Sequence, residues 1–313
     1  MEEAPRATAS VVIVSDFASG TERGWDDIRA VLTALAQQDV TEVVDYILIE
    51  SEELHDSLPP DLHDVLPGLR VVFSPATNSY ALRNEGVRAA RTEVVGTLDG
   101  DCTPDLDWVR LMIDAMRQHP QAAAVSGRTL YPGTSLYNRA AALLQRSYIE
   151  VKPGGRVRHI ANNGAGYRRS VYLKYPLPTH LDVFAAQVQS EEMLAAGYEL
   201  LFEPRMRVTH AFYPAFDADQ HNGSGYGILY ARINDSRLPY ASLARLGMLS
   251  VAVFFFGRVG KAWLNAARHW STYDVRWFEL PAVFVLGLVG CAMEIPAMVR
   301  AVRGESPPTT SFR

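Results

Sequence analysis

Short apolar runs alternate with longer amphipathic stretches through the first half of the chain. Five runs rich in Val, Ile and Ala have the length and composition of buried strands, and they lie at residues 10–15, 43–49, 70–73, 94–98 and 122–127. Between the first two runs, a stripe at helical spacing predicts an amphipathic helix of about 14 residues, and its members are Ile28, Val31, Leu32 and Leu35. The alternation predicts an α/β fold, with a mostly parallel sheet flanked by helices and ligands bound beyond the carboxyl ends of its strands.

Charge and cysteine content narrow the classes of function. The chain has 30 basic and 35 acidic side chains and a net charge of -5, so nothing favours nucleic acid as a partner and any anion must be bound locally. Cys102 and Cys291 are far apart, which predicts neither a disulfide framework nor a zinc site and fits a reducing cytoplasm. The acidic N-terminus lacks the pattern of a signal peptide, so export is not expected.

Two acids, Asp99 and Asp101, follow the fourth apolar run with Gly100 between them. Acids before a helix commonly act as caps and dipole partners. Here Thr103 is the predicted N-cap of a helix that starts at Pro104. The predicted inner face of that helix comprises Leu106, Val109, Ile113 and Met116. Because the capping position is filled, the two carboxylates suit a hard divalent cation that neutralises a departing diphosphate.

The order of these motifs resembles family 2 glycosyltransferases, which have the GT-A fold and use nucleotide sugars. The resemblance covers residues 10–210 and is most specific in "NSYALRNEGVRAARTEVVGTLDGDCTP", whose matching residues are Arg83, Asn84, Gly86, Asp99 and Asp101. It implies a nucleoside diphosphate sugar as donor, with UDP-sugars favoured. It also implies inversion at the anomeric carbon and a divalent cation, Mn or Mg, as cofactor.

The resemblance also implies a set of site residues. Glu50 would contact the base or ribose, Arg83 the nucleotide or its diphosphate, and Asp99 the ribose or uracil. Asp101 would bind the metal, and His210 the metal or the diphosphate. The other donor-binding positions that it implies are Ser15, Asn84, Gly100, Asn163 and Gly164.

The family's usual acidic pair, whose second member deprotonates the acceptor, falls on Ala185 and Ala186 in an ungapped register. Glu191 and Glu192 are candidate catalytic bases only if the helix shifts by six residues, and ordinary solvated charges are the alternative. An acceptor phosphate needs no base because it is already anionic, so a polyprenyl or dolichyl phosphate would tolerate this loss. A basic cluster could hold that phosphate, with a surface loop as the alternative, and it comprises Lys152, Arg156, Arg158, His159, Arg168 and Arg169.

The composition changes after His210. Residues 212–240 are rich in Gly, Asn and Tyr and predict either a flexible segment that closes over the donor or a linker. Apolar stretches follow at 246–257, too short to cross a bilayer, and at 280–299, which is long enough but contains Glu294. Between them Arg258, Lys261 and Trp263 suit a lipid headgroup interface.

These patterns predict a catalytic domain at 1–240 and a helical tail at 241–313, peripheral or anchored at the cytoplasmic face of a membrane. A helical hairpin packed on the catalytic domain or on a second subunit is the alternative. The predicted function is an inverting transfer of a sugar to a glycan or lipid-linked acceptor, a lipid phosphate being one candidate. An inactive scaffold of the same family is the main alternative, and a nucleotidyltransferase is disfavoured because the chain lacks a basic, Gly-rich phosphate loop near its first strand.

Overall fold

The computed structural model describes residues 7–15, 25–150, 155–212 and 214–307, without the side chains of residues 182 and 214–216. The strands are β1 Ala9–Val14, β2 Val44–Ser51, β3 Arg70–Ser74, β4 Val94–Asp99, β5 Cys102–Pro104, β6 Ala122–Ser126, β7 Thr129–Leu130, β8 Gly164–Arg168, β9 Glu199–Phe202 and β10 Val208–His210. The helices are α1 Asp26–Ala36, α2 Leu62–Val65, α3 Ser79–Ala89, α4 Trp108–Gln118, α5 Leu136–Arg146, α6 Arg169–Lys174, α7 Ala185–Ala195, α8 Pro214–Asn234, α9 Ala241–Ala244, α10 Met248–His269, α11 Leu280–Met293 and α12 Ile295–Val302.

A seven-stranded sheet forms the centre of the fold, in the order β3-β2-β1-β4-β8-β6-β9. The first four strands in this order are parallel, and only β8 runs antiparallel to its neighbours. Apolar clusters cover both faces of the sheet, which explains why β1 consists entirely of buried residues. The α/β fold, the five strands and the first helix predicted from the sequence are confirmed.

The segment after Asp101 differs from the prediction. It forms the short strand β5, which pairs antiparallel with β10, while α4 begins only at Trp108 with Asp107 at its N-cap. Thr103 is therefore not a helix cap, and Leu106, 59% exposed, is not part of the inner face. The pairing places Cys102 opposite His210 and so brings the end of β10 beside the acid pair.

The predicted flexible or linker character of residues 212–240 is wrong for the residues that the structure describes, because most of them form α8, a helix of 21 residues. Glycine normally weakens a helix, but Gly225 lies where a Cβ atom would come within 2.5 Å of the carbonyl oxygen of Glu294. Close packing of α8 against the segment joining α11 and α12 therefore outweighs the poor intrinsic helix propensity.

The C-terminal helices pack on one another and on the catalytic part of the chain. Buried side chains of α8, α10 and α12 form one apolar cluster, and a second cluster joins α5 to α10 and α11. One stretch, Trp277–Val302, is long and apolar enough to cross a membrane, with a mean hydropathy of 2.1 and 39% of its apolar window buried against the protein. Length and composition alone are weak grounds for a membrane span.

Candidate functional site

A cavity of about 860 Å³ lies between the carboxyl end of β4 and the helices α5, α8, α10 and α11. We call its two regions the sheet end and the helix end. The sheet end is lined by Asp99, Asp101 and His210, and the helix end by His159, Arg232 and Lys261. The sheet end thus coincides with the position that the sequence predicts for the ligand site.

Four buried side chains at the sheet end form a candidate metal centre. Asp99, Asp101, Cys102 and His210 each offer one ligand atom, and these atoms all lie within 4.8 Å of one another. Oδ2 of Asp101 is 3.3 Å from Nδ1 of His210 and receives no hydrogen bond from the residues that the structure describes. Burial, followed by the charge of Asp99, raises the pKa of Asp101 well above its usual range. A divalent cation would supply the missing positive charge, so the donor set fits one.

His210 is held in a form suited to metal binding. Its Nδ1 lies 2.7 Å from the carbonyl oxygen of Ala211, and its ring meets that of Tyr131 edge to face at 5.9 Å. Burial lowers the pKa of His210 to about 3, so the imidazole is neutral near pH 7. The Ala211 carbonyl orients the ring, and a neutral imidazole can offer a nitrogen lone pair to a cation.

Arg83 and Asn84, adjacent on α3, have different surroundings. Arg83 lines the cavity and forms a buried ion pair with Asp99. The Asn84 amide instead donates to the carbonyl of Leu177 and accepts from the Tyr172 hydroxyl, outside the cavity lining. The structure therefore brings Arg83 to the acid pair, while Asn84 braces the loop at Leu177.

Backbone contacts fix the acid pair against the neighbouring strand. The Gly100 N–H donates to the Val14 carbonyl at 2.6 Å, and a Cβ atom at Gly100 would lie 2.5 Å from Cδ1 of Ile28. Glycine is needed here for close approach rather than for a left-handed turn. Ser15 and Glu50 are buried near the ends of β1 and β2, and neither is among the residues lining the cavity.

Asn163 and Gly164 lie on the opposite side of β4. The Asn163 carbonyl accepts from the Asp99 N–H at 3.3 Å, and its amide donates to the Thr129 hydroxyl at 2.9 Å. A Cβ atom at Gly164 would lie 2.6 Å from Cγ1 of Val208, so this strand packs tightly beside β10. The structure thus groups Asn163 with the metal cluster in one cavity wall.

The candidate bases lie outside that cavity. Glu191 pairs with Arg158 at 2.9 Å, and Glu192 pairs with Arg237, and neither glutamate is a lining residue. In contrast, Ala186 lines the cavity at the position where the sequence comparison places the usual acid.

The predicted phosphate-binding cluster does not form among the described residues. Arg156 pairs with Glu199, while the guanidinium groups of Arg168 and Arg169 donate to backbone carbonyls. His159 does line the cavity, and Lys152 lies outside the described residues.

Several cavity residues carried no recognisable signal in the sequence. Arg146, the last residue of α5, donates to the Tyr131 hydroxyl at 3.0 Å and has no carboxylate partner among the described residues. Asp217 and Arg232 come from α8, which the sequence did not predict as a helix. Each is a single charged residue without a recognisable motif around it, and only long-range packing brings it into the cavity lining.

Comparison with known proteins agrees with this architecture. Residues 12–175, slightly more than half of the chain, match the family described as Glycosyl transferase family 2. No curated protein matches the chain in sequence.

Among solved structures, the mannosyltransferase PcManGT from Pyrobaculum calidifontis, in complex with GDP-Man and Mn²⁺, is 17% identical with a TM-score of 0.63. The match covers 97% of this chain and 89% of that one, and it confirms the GT-A fold. Residues 1–349 of TarS from S. aureus, in complex with UDP, are 12% identical over 96% of this chain and 93% of that chain, with a TM-score of 0.49 that supports no further argument. The chain belongs to glycosyl transferase family 2.

Proposed function

We propose that this protein is an inverting glycosyltransferase that moves a sugar from a nucleoside diphosphate sugar to a lipid-linked acceptor at the cytoplasmic face of a membrane. The observation that supports this most directly is the buried cluster of Asp99, Asp101, Cys102 and His210 at the rim of the sheet, of which Asp99, Asp101 and His210 line the cavity. Such a site can hold a hard cation against a diphosphate.

In this proposal Asp101 and His210 hold Mn²⁺ or Mg²⁺, and the cation supplies positive charge that stabilises the departing diphosphate. Arg83 forms an ion pair with Asp99 and orients that carboxylate. Arg146, which lines the same cavity and has no carboxylate partner among the described residues, adds a positive charge there. During inversion an acceptor oxygen bonds the anomeric carbon as the bond to the diphosphate breaks.

The donor panel follows from the family and from the structural relative. UDP-sugars come first because the family resemblance favours them. GDP-mannose is added because PcManGT was solved with GDP-Man and Mn²⁺. The nucleoside and the sugar are separate variables, so UDP and GDP without sugar belong in the panel as well.

The C-terminal helices present an apolar surface, which we call the apolar face. On α10 it follows helical spacing through Leu249, Val253, Phe256 and Leu264, with Phe256 70% exposed. Trp277, 71% exposed, lies just before α11. Contiguous exposure of large apolar side chains indicates an interaction surface. Because Trp263, 40% exposed, and the exposed Arg268 also lie on α10, we propose a lipid bilayer as its occupant.

The contact proposed is peripheral. Although Trp277–Val302 is long enough to cross a bilayer, side chains of α11 and α12 are buried against α5, α8 and α10. Glu294, which follows α11, is 1% exposed and forms an ion pair with Arg258 inside the protein. We propose residues 1–240 as the catalytic domain and residues 241–313 as the tail. Helix α8 of the catalytic domain packs on the tail.

Donor turnover tests the proposal. The full chain is incubated with each donor, Mn²⁺ or Mg²⁺, and vesicles containing lipid acceptors, and release of nucleoside diphosphate is measured with and without EDTA. Metal-dependent release that requires an acceptor is expected. Donor binding without turnover across the panel would favour an inactive scaffold, and absence of both would contradict the proposal.

Co-sedimentation with vesicles tests the membrane contact separately. The wild-type chain should sediment with anionic vesicles, and Phe256→Glu together with Trp277→Glu should abolish this. A concentration-dependent dimer that disappears in the same variant would show that a second copy covers the apolar face instead.

A further inference from the structure

A second group of cations lies at the helix end of the cavity. Arg232 on α8 is 7% exposed, and its guanidinium lies between the rings of Phe184 and Phe254, 5.2 and 5.5 Å from their centroids. Nε and Nη1 donate to the backbone carbonyls of Pro239 and Ile228. Nη2 has no hydrogen-bond partner among the residues that the structure describes, and no carboxylate there pairs with the group.

Lys261 and His159 line the same cavity as this arginine. Lys261, at the exposed edge of the cavity on α10, lies over the ring of Tyr148 at 5.9 Å and has no acidic partner in the described parts of the chain. Nδ1 of His159 is buried and lacks a hydrogen bond there as well. Burial lowers the pKa of His159 to about 4, with Glu191 opposing and Lys261 and Arg232 adding to the shift, so the ring is neutral.

The carboxylate of Glu294, which also lines the cavity, already has partners. Glu294 forms its ion pair with Arg258 and lies 3.3 Å from Nδ1 of His221. The charges of Arg232 and Lys261 therefore remain uncompensated. Burial, reinforced by Arg258, lowers the pKa of Arg232 to about 10, which shows that the enclosure disfavours its charge. Buried charges without partners are costly, so an anionic ligand at this place would be strongly favoured.

The helix end communicates with the metal cluster. Lys261 lies over the ring of Tyr148, which follows Arg146 by two residues, and all three line the cavity. Arg146, Lys261 and Arg232 thus supply three cations to the lining of one cavity. An anion at Lys261 would share the cavity with a donor diphosphate at Asp101.

We propose that Arg232, Lys261 and His159 bind the phosphate group of the acceptor, an inference that rests on the proposed function and assigns its substrate class. The guanidinium edge and the ammonium group are donors suited to phosphate oxygens. Apolar side chains line the same cavity and lead toward the apolar face, among them Val253, Leu286 and Val289. A prenyl chain attached to the phosphate would lie along these side chains.

Transfer of the sugar to a phosphate oxygen is compatible with an alanine at position 186 of the cavity lining. A phosphate monoester oxygen bonds the anomeric carbon, and the bond from that carbon to the nucleotide phosphate oxygen breaks with its electron pair. The products are a phosphodiester-linked sugar and a nucleoside diphosphate. No proton has to be removed, so the step needs no carboxylate where Ala186 stands.

Calorimetry on the full chain tests this, with farnesyl phosphate, farnesol and inorganic phosphate as probes. Lys261→Gln should weaken farnesyl phosphate binding about tenfold, since a hydrogen bond to a charged group is typically worth about one such factor. Arg232→Lys keeps the charge, lowers the risk of misfolding and should weaken binding by a similar factor. Lys174→Gln is the matched control, because Lys174 also lies over a tyrosine ring, that of Tyr175, but outside the cavity.

Comparing the affinities of the probes distinguishes a lipid phosphate from a soluble phosphate as the ligand. Tighter binding of farnesyl phosphate than of inorganic phosphate, both weakened by Lys261→Gln, supports a lipid phosphate acceptor. Equal affinities that depend on Lys261 support a phosphate site for a soluble acceptor.

Wild-type affinity for farnesyl phosphate in both Lys261→Gln and Arg232→Lys overturns the inference. Donor binding with Mn²⁺ is measured on the same samples. If the wild-type chain does not bind donor, the proposed function is contradicted. If it binds donor but its binding of farnesyl phosphate does not depend on Lys261, only the phosphate site is contradicted.

Discussion

The ion pair between Arg258 and Glu294 should contribute strongly to folding stability. Glu294 is 1% exposed and lies where α8, α10 and α11 meet, whereas the Arg258 side chain is 32% exposed. Replacing Arg258 by Met strands a buried carboxylate that retains only the contact with His221 at 3.3 Å. Replacing Glu294 by Gln leaves a cation that still reaches water.

The difference in exposure between the Glu294 and Arg258 side chains sets the expected cost of each substitution. Loss of one partner from a buried ion pair costs about 3–5 kcal/mol, and the remaining contact with His221 should hold Arg258→Met near the lower value. At roughly 2–4 °C per kcal/mol, the midpoint of thermal unfolding should fall by about 6–12 °C. Glu294→Gln should cost less, about 1–3 kcal/mol, because part of the Arg258 side chain is exposed although its Nε is buried. The double variant should be more stable than Arg258→Met alone, because no unpaired buried charge remains.

Urea-induced unfolding, followed by tryptophan fluorescence, measures the free energy of unfolding of the wild-type chain and the three variants. The double-mutant cycle isolates the coupling between the two side chains. A cost below about 1 kcal/mol for Arg258→Met, or a double variant no more stable than that single variant, would refute the reasoning and with it the packing of Glu294 inside the protein.

Three further perturbations have defined outcomes. Glu191→Gln and Glu192→Gln should leave nucleoside diphosphate release within about twofold of wild type, since only a catalytic base gives losses of a hundredfold or more. Gly164→Ala should lower the free energy of unfolding by about 1–3 kcal/mol, because the added Cβ atom would collide with Val208. Adding Val208→Ala should recover part of this loss, and no recovery would contradict the contact. His159 has a folded-state pKa of about 4, below its ordinary value near 6.5. Between these two pH values the unfolded state binds more protons than the folded state, so the free energy of unfolding falls as the pH falls from 6.5 to 4. The loss is at most about 3 kcal/mol, and His159→Gln should flatten that part of a urea-unfolding pH series; an unchanged slope would contradict its burial as a neutral ring.

The sheet was predictable because its strands are buried on both faces and are continuous apolar runs. The position of Asp99 and Asp101 at the end of β4 followed from the same pattern. The cap assigned to Thr103 failed for a long-range reason, since β5 pairs with β10, more than a hundred residues later. Local capping rules cannot anticipate a strand partner so distant in the chain.

The helix end of the cavity could not be read from the sequence for a related reason. Its cations come from different helices, and α8 is helical because Gly225 packs closely against Glu294 rather than because its residues favour helix. The basic cluster that the sequence suggested is dispersed, since Arg156 and Arg158 find glutamate partners on the surface. Charge content predicted that any bound anion must be held locally, but not which residues hold it.

Donor binding measured by calorimetry, with and without Mn²⁺, tests the central claim that Asp101 seats a cation for the diphosphate. Asp101→Asn is compared with Asp107→Asn, which makes the same change at the start of α4 outside the cavity. Since loss of even an outer-shell partner weakens metal binding about 10–100-fold, Asp101→Asn should weaken Mn²⁺-dependent donor binding by about 100-fold or more. The Asp107 variant should bind like wild type. Wild-type binding by Asp101→Asn, or donor binding indifferent to Mn²⁺, would contradict the account.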